Sequence, residues 1–188
     1  DGIRTFKDEL ISPEMLKKYL DKMESEELSE EKRDLINRLS DLHRVYVKYQ
    51  EFWEAKSVID FNDIVVEAIN LLKTKPLIQQ KLENKYKHIL VDEFQDNNYA
   101  QLEIVKLISN GVDVTAVGDD DQSIFRFQGA YMKNFNDFEK HFTNTKIINL
   151  DQNYRSTQNI VNLSNSIVSN IDERQKKNLF SKNIEGEK

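Results

Sequence analysis

The sequence predicts an α/β protein in which an all-helical segment precedes a parallel sheet flanked by helices. Up to about residue 85, apolar residues recur at the three- and four-residue spacings of amphipathic helices. Beyond that point, the short apolar runs "HILV" (88–91) and "VTAV" (114–117) are typical of strands covered on both faces. The stretch between the two runs has a helical pattern, and the order strand, helix, strand predicts a parallel βαβ unit.

The composition favours an intracellular globular protein without a membrane segment. Of 188 residues, 38% are hydrophobic and 32% are charged, and no apolar run approaches the about 20 residues of a membrane span. The N-terminus is charged from Asp1 onward, so no signal peptide is visible. The absence of cysteine excludes disulfides and Cys-ligated zinc. A net charge of -6 argues against a generally basic nucleic-acid coat but permits a local basic groove.

Three helices are predicted before residue 85. Ser12 is an N-cap for the first, with Pro13 at its first position and an apolar stripe after it. A long second helix is capped by Ser29; its seam covers under three heptads, which favours packing on its own domain over a coiled coil. A third helix starts at Asp60. The predicted inward positions are Leu16, Leu20 and Met23, then Leu35, Leu39, Leu42, Tyr46, Tyr49 and Trp53, then Ile64, Val65, Ala68, Leu71 and Leu72.

The second half contains further helix and strand signals. The helix "NYAQLEIVKLISNG" is predicted to end at Asn110 and Gly111 in a left-handed cap. The apolar run "KIINL" (146–150) predicts a third strand. A last helix, "TQNIVNLSNSIVSN", follows it, with predicted core positions Ile160, Leu163, Ile167 and Val168.

Both central strands are followed by acidic residues. "HILV" runs into Asp92 and Glu93, and "VTAV" runs into the acidic stretch 119–121. Because ligands of open parallel sheets bind beyond the carboxyl ends of the strands, we expect these acids at one edge. Such carboxylates suit Mg²⁺ with phosphate, and a second one can take a proton from water. The alternative is that the acids cap the following helices; the nearby Gln95, Asp96 and Gln122 favour a site.

Three stretches carry a family resemblance. "VDEFQD", "VGDDDQSIFRFQGA" and "LDQNYRST" resemble three consecutive motifs of superfamily 1 DNA helicases of the UvrD/Rep/PcrA type, and "IDFNDI" is similar to the segment before them. The resemblance covers about residues 30 to 180 and is specific, because the order and spacing also agree. It implies a RecA-like P-loop NTPase fold whose two lobes hold one ATP. It also implies 3′-to-5′ movement along single-stranded DNA, in repair, replication or recombination.

The resemblance also implies roles for individual residues. Asp92 would bind the Mg²⁺ of Mg-ATP, and Glu93 would polarise the attacking water. Gln122 would sense the γ-phosphate, Arg155 would act on it as an arginine finger, and Tyr154 would stack on the adenine. Such roles suit phosphoryl transfer, which depends on positioning and charge neutralisation. "NYRST" is also a helix start, with Ser156 or Thr157 as N-cap, and both interpretations can hold together.

The segment "SIFRFQGA" would carry the DNA contacts. Phe125 and Phe127 flank Arg126, so the two rings share a side if the segment is extended. By resemblance they would stack on DNA bases; the alternative is two core phenylalanines. Many relatives have Trp at the position of Phe127 and Arg at that of Gln128. The glutamine in this chain removes the positive charge that the arginine of those relatives carries.

The sequence contains no G-x-x-x-x-G-K-[ST] phosphate-binding loop. It also lacks the last motifs of the second lobe, so we expect a middle slice of a longer helicase. Residues 1–56 would belong to a helical insertion, 57–145 to the distal first lobe, and 146–188 to the start of the second. The isolated chain is expected to be inactive and to bind ATP and Mg²⁺ only weakly.

The expected partners are single-stranded DNA or a duplex junction and the missing segments of the parent chain. The expected location is cytoplasmic, with the nucleoid as the site in a prokaryote. A degenerate helicase-like module that binds DNA or protein without hydrolysis is the main alternative. A two-metal nuclease or phosphatase is disfavoured, because it leaves Gln122, Tyr154 and Arg155 unused.

Overall fold

The computed structural model describes residues 2–25, 29–122, 134–170 and 177–183 as a helix-rich protein with small parallel sheets. The helices are α1 (Gly2–Asp8), α2 (Pro13–Glu24), α3 (Glu30–Lys56), α4 (Phe61–Thr74), α5 (Pro76–Lys85), α6 (Tyr99–Ile108), α7 (Asn134–His141) and α8 (Gln158–Val168). The strands are β1 (His88–Val91), β2 (Asp113–Ala116), β3 (Gln152–Asn153) and β4 (Phe180–Ser181). Within these ranges, no helix combines the length and the apolar character that a membrane span requires.

The helical N-terminal part has its own small core. The Ser12 hydroxyl accepts a hydrogen bond from the Met15 amide at 3.2 Å, which confirms the predicted cap. Leu16 and Leu20 of α2 are buried against Ile36 of α3. The α3 helix therefore packs on its own domain, as its short seam predicts.

Some inward positions on α3 and α4 were wrong by one residue. Leu35 is 55% exposed while its neighbour Ile36 is buried, and Tyr46 is buried as predicted. On α4, Leu72 is buried, but Ile64 and Leu71 are exposed, and the buried position missed is Ile69. Apolar residues on both sides of the stripe make its centre ambiguous, and the neighbouring helices decide which positions are covered.

A polar cluster joins α1 to the start of α4. The Lys7 ammonium group, almost fully buried, lies 2.7 Å from Asp60 Oδ2 and 2.6 Å from Asp63 Oδ1. The Tyr49 hydroxyl donates to Asp60 at 2.6 Å, and its ring lies 4.8 Å from Lys7 Nζ. Burial opposes the charged form of Asp60, but hydrogen bonds from Lys7 and Tyr49 outweigh it and lower the Asp60 pKa to about 2. Next to this cluster, Asp8 accepts from Asn62 and from Asn98, the N-cap of α6.

Replacing Lys7 by methionine is expected to lower the free energy of unfolding by about 3–5 kcal/mol, because one partner of a buried ion pair is removed. The Asp60 and Asp63 carboxylates would then lack the cation that lies between them. Urea unfolding of the 188-residue chain, followed by circular dichroism, measures the difference.

Lys17→Met is the matched control, since Lys17 pairs with Asp21 on the exposed surface of α2. Equal changes in both variants would contradict the role of Lys7.

The dependence of stability on acid pH gives a second check on Lys7. The lowered pKa of Asp60 contributes fully to the free energy of unfolding at pH values above the unfolded pKa of this group. This contribution is lost as the pH falls from 3.8 towards about 2. The Lys7→Met protein should lose less stability over that range.

The predicted βαβ unit is confirmed. β1 and β2 pair in parallel, with Val91 opposite Ala116 at their carboxyl ends, and α6 connects them. One face packs on a core in which Phe94, Leu102 and Phe138 are buried. The expectation that both faces are covered was wrong, because Leu90 on the other face is 74% exposed. The other described side chains of that face, His88, Asp113 and Thr115, are exposed as well.

The C-terminal part differs from its predicted structure. "KIINL" is not a strand, and Ile148 and Leu150 are 68% and 79% exposed. An apolar run forms a strand only beside a partner, and the described residues supply none there. β3 instead pairs in parallel with β4. On α8, Val161 is buried, whereas three predicted core positions are exposed: Ile160, Leu163 and Ile167.

Candidate functional site

The two acidic loops meet at the carboxyl edge of the β1–β2 sheet, as their positions in the sequence predict. The Val117 amide donates to the Val91 carbonyl at 2.8 Å, and the Phe94 amide donates back to the Val117 carbonyl at 2.9 Å. The loop after β1 therefore continues in contact with the loop after β2. This pairing brings the acids after β1 and those after β2 to the same edge of the sheet.

The loop after β1 turns sharply at Glu93. Glu93 has φ 48° and ψ 45°, the left-handed conformation that is uncommon outside glycine. A short 3-10 turn, Phe94–Asp96, follows directly. Asp92 Oδ1 accepts a hydrogen bond from the Glu93 amide at 3.0 Å, and both acids are exposed. The turn directs the chain away from the strand and leaves the two carboxylates at the sheet edge.

The turn is held by buried amide side chains that no sequence pattern assigned to this task. Gln95 Nε2 donates to Glu93 Oε2 at 2.7 Å, and Gln95 Oε1 accepts from the Asp119 amide at 3.0 Å. Asn134, at the start of α7, donates to the carbonyl oxygens of Phe94 and Asn97 at 3.3 and 2.6 Å. Gln95 stood out as a neighbour of the acids, but its contact with Asp119 was visible only in the fold.

The three acids after β2 share one cation from the far end of the chain. Lys177 forms ion pairs with Asp119 and Asp120, and its Nζ lies 3.2 Å from Asp121 Oδ2. Burial disfavours the charged form of Asp119, but hydrogen bonds from Lys177 and Gln122 outweigh it and lower the Asp119 pKa. Lys177 lies in a polar segment without a clear pattern, so sequence reasoning missed it.

The carboxylates differ in their fitness for a magnesium ion. Within the described ranges, the acids whose oxygens come within 4.8 Å of one another as a group of three are Asp119, Asp120 and Asp121. Lys177 already supplies the positive charge for that group. Mg²⁺ bound with phosphate needs one or two carboxylates and keeps several waters. Asp92 can supply one carboxylate, and its exposure leaves the ion open to water. Asp92 is therefore a better candidate ligand for Mg²⁺ with phosphate than the group of Asp119, Asp120 and Asp121.

A groove of about 590 Å³ brings together three residues that the sequence singles out. Gln122, Tyr154 and Arg155 line it, together with Asn153 and Ser156. Gln122 Nε2 donates to Asp119 Oδ2 at 2.6 Å, which fixes the residue at the β2 side of the groove. The groove is open and presents a ring, a guanidinium and an amide to one volume.

Local hydrogen bonds hold the Tyr154–Arg155 side of the groove. Asn153 Oδ1 accepts from the amides of Arg155 and Ser156 at 2.9 and 2.7 Å. Asn183 Nδ2 donates to the Tyr154 carbonyl at 3.0 Å. Thr157 is the N-cap residue of α8, as predicted, although its side chain makes no capping hydrogen bond. The backbone is therefore held while the Tyr154 side chain stays 78% exposed.

Asp92 and Glu93 do not line this groove; they lie at the sheet edge, linked to Gln122 through Gln95 and Asp119. Phe125, Arg126 and Phe127, for which DNA contact is predicted, lie outside the described residues, as does Gln128.

Two family models match this chain. Residues 2–143 match the UvrD/REP helicase N-terminal domain, and residues 148–188 match the UvrD-like helicase C-terminal domain. The chain belongs to the UvrD/REP helicase family. The resemblance stated from the three motifs is thereby confirmed. The groove is lined from both matched segments, with Gln122 in the first and Tyr154 and Arg155 in the second.

Curated relatives of this UvrD/REP family chain are named as helicases. It is 35% identical over 189 residues to the ATP-dependent DNA helicase UvrD1 of Mycobacterium tuberculosis, covering 96% of this chain and 23% of the relative. It is 40% identical over 145 residues to the ATP-dependent DNA helicase PcrA of Staphylococcus aureus, covering 77% of this chain and 20% of the relative. The chain thus spans less than a quarter of the length of these relatives.

Proposed function

We propose that this chain is part of an ATP-dependent DNA helicase that couples Mg-ATP hydrolysis to 3′-to-5′ movement along single-stranded DNA. The names of the relatives support the activity. The observation that carries the proposal is the groove, because Gln122 from the first matched segment and the adjacent Tyr154 and Arg155 from the second line one volume.

The side chains of the groove suit a nucleoside triphosphate. The exposed ring of Tyr154 offers a face to the base, and the planar donor fork of Arg155 matches phosphate oxygens. The Gln122 side-chain amide can donate a hydrogen bond to the terminal phosphate, which would link the presence of that phosphate to the position of the loop after β2. At the sheet edge, Glu93 would orient the attacking water. Mg²⁺, held by Asp92, would neutralise charge on the phosphates.

The fold proposal follows from the same arrangement. The β1–α6–β2 unit would be part of a RecA-like lobe (57–145), with 1–56 as a helical insertion and 146–188 as the start of a second lobe. The two family models adjoin between residues 143 and 148, which supports a boundary near 145. The phosphate-binding loop would be supplied elsewhere in the parent protein. We also propose that Phe125 and Phe127 stack on DNA bases, with Arg126 between them. The proposed biological role is in repair, replication or recombination inside the cell.

The function is tested on the complete protein, meaning the product of the natural reading frame that contains this chain. We expect DNA-stimulated ATP hydrolysis and unwinding of a duplex with a 3′ single-stranded tail. The isolated 188-residue chain should not hydrolyse ATP above background, because positioning by the phosphate-binding loop is missing. DNA binding without hydrolysis by the complete protein would favour the degenerate module instead. A complete protein that neither binds DNA nor hydrolyses ATP would contradict both the helicase and the degenerate module.

Tyr154→Ala in the complete protein is expected to raise the KM for ATP with a much smaller change in kcat. A ring stacked on a base contributes about 1–3 kcal/mol, which corresponds to about a 5- to 150-fold change in affinity. Tyr19→Ala is the matched control, because Tyr19 is a half-exposed tyrosine on α2, away from the groove. Equal KM values for the two variants would remove Tyr154 from the nucleotide site.

A further inference from the structure

We propose that Gln95 is a positioning residue that holds the Glu93 carboxylate in place and couples it to the loop carrying Gln122. The inference rests on the proposed ATPase function of the site. Gln95 touches neither the groove nor, in the proposal, the nucleotide. It acts through Glu93 on one side and through Asp119 on the other.

Both ends of the Gln95 amide are engaged, and each end has the partner that its chemistry requires. The side chain is only 3% exposed, its Nε2 donates to the Glu93 carboxylate at 2.7 Å, and its Oε1 accepts from the Asp119 amide at 3.0 Å. A flipped amide would set oxygen against carboxylate and donor against donor. A buried polar group is costly unless it is hydrogen-bonded, so only one orientation is stable. The Gln95 amide therefore presents an N–H group to Glu93.

The β2 loop approaches the Gln95 side chain closely at Gly118. A Cβ atom on Gly118 would lie 2.6 Å from Gln95 Oε1 and 3.0 Å from the Phe94 amide nitrogen. The backbone of the β2 loop is therefore packed directly against the side chain of the β1 loop. Glu93 itself is in the left-handed conformation, which its neighbours must maintain.

A continuous chain of hydrogen bonds leads from Glu93 to the groove. It passes through Gln95 to the amide of Asp119, whose carboxylate accepts from Gln122 at 2.6 Å. Gln122 lines the groove beside Tyr154 and Arg155. A shift of Gln122 on nucleotide binding would therefore change the position of the Glu93 carboxylate through Asp119 and Gln95. This places the water-orienting carboxylate under the control of the phosphate-contacting loop.

The test uses Gln95→Met in the complete protein, which keeps the volume and removes both hydrogen bonds. We expect kcat for DNA-stimulated ATP hydrolysis to fall about 10- to 100-fold, the range of one hydrogen bond to a charged group. The KM for ATP should change less than about twofold, since uniform binding is untouched. Gln80→Met, an exposed glutamine on α5, is the matched control.

A second background separates positioning from packing. If Gln95 acts through Glu93, adding Gln95→Met to Glu93→Gln should lower kcat no further, because the two residues act as one unit. A full additional loss in that background would overturn the proposal. So would a lowered melting temperature with unchanged kcat per folded molecule. If Gln95→Met does not fold, Gln95→Asn is judged by the same criteria, and failure of both to fold assigns Gln95 a structural role instead.

The outcome for the proposed function is distinguishable. Loss of that function appears as a wild-type protein without ATP hydrolysis, whatever residue 95 is. A hydrolysing wild type with an equally active Gln95→Met variant would reject the positioning role alone.

Discussion

Arg155→Ala in the complete protein is expected to lower kcat for ATP hydrolysis by about 10³- to 10⁵-fold, the range of an arginine finger. Arg155 lies on the groove beside Tyr154, and its backbone amide is held by Asn153 at 2.9 Å. A guanidinium placed there would meet the charge that develops on the transferred phosphoryl group. Nucleotide affinity should fall far less, because the charge develops mainly in the transition state. Single-turnover hydrolysis beside an equilibrium binding titration separates the two quantities.

Arg155→Lys and Arg44→Ala complete the Arg155 experiment. Lysine keeps the charge but loses the planar fork, so an intermediate kcat is expected. Arg44 is an exposed arginine on α3, and its loss should leave kcat unchanged. If Arg155→Ala weakened ATP binding as much as turnover, Arg155 would be a ground-state phosphate ligand rather than a finger.

Glu93→Gln is expected to reduce kcat by about 10²- to 10⁴-fold while Mg-ATP binding is largely retained, as for the loss of a general base. Glutamine keeps the shape of the side chain but cannot take a proton from water. It also presents an amide to Gln95, which can still pair by offering its oxygen to Gln95 Nε2. The fold of the loop should therefore survive, which a melting curve checks.

Asp92→Ala is the companion of Glu93→Gln, since the two exposed acids are adjacent and have different proposed roles. Loss of a metal ligand should raise the Mg²⁺ concentration needed for half-maximal activity. Glu93→Gln should leave that concentration unchanged. Equal loss of nucleotide affinity in both variants would mean that the two roles are wrongly assigned.

Features set by neighbours in sequence were predictable here. The Ser12 cap depends on signals within a few residues, and the structure has it. The βαβ order is a succession of such local signals, and the convergence of the two acidic strand ends follows from that order; the structure has both. The helical pattern also located α8, but not its covered face. Ile160 and Leu163 have the spacing of a core stripe and are exposed, because burial depends on what packs against a helix.

Long-range polar contacts could not be read from the sequence. Lys177 reaches Asp119 across 58 residues, and no local pattern distinguishes it from other surface lysines. Lys7 likewise meets Asp60 across 53 residues. The motifs name the residues of the proposed chemistry, but the side chains that hold them are set by the tertiary fold.

The contact between Gly118 and Gln95 also limits how this sequence can diverge. A side chain at 118 would overlap the Gln95 oxygen, and the backbone nitrogens of Phe94 and Gln95 stand just behind it at 3.0 and 3.1 Å. Shortening residue 95 alone would relieve the first overlap and leave the other two. A side chain at position 118 would therefore remain unfavourable even if residue 95 became shorter. Glycine is thus required at position 118 by the backbone of the β1 loop as well as by the Gln95 side chain, so the requirement outlasts any substitution at position 95.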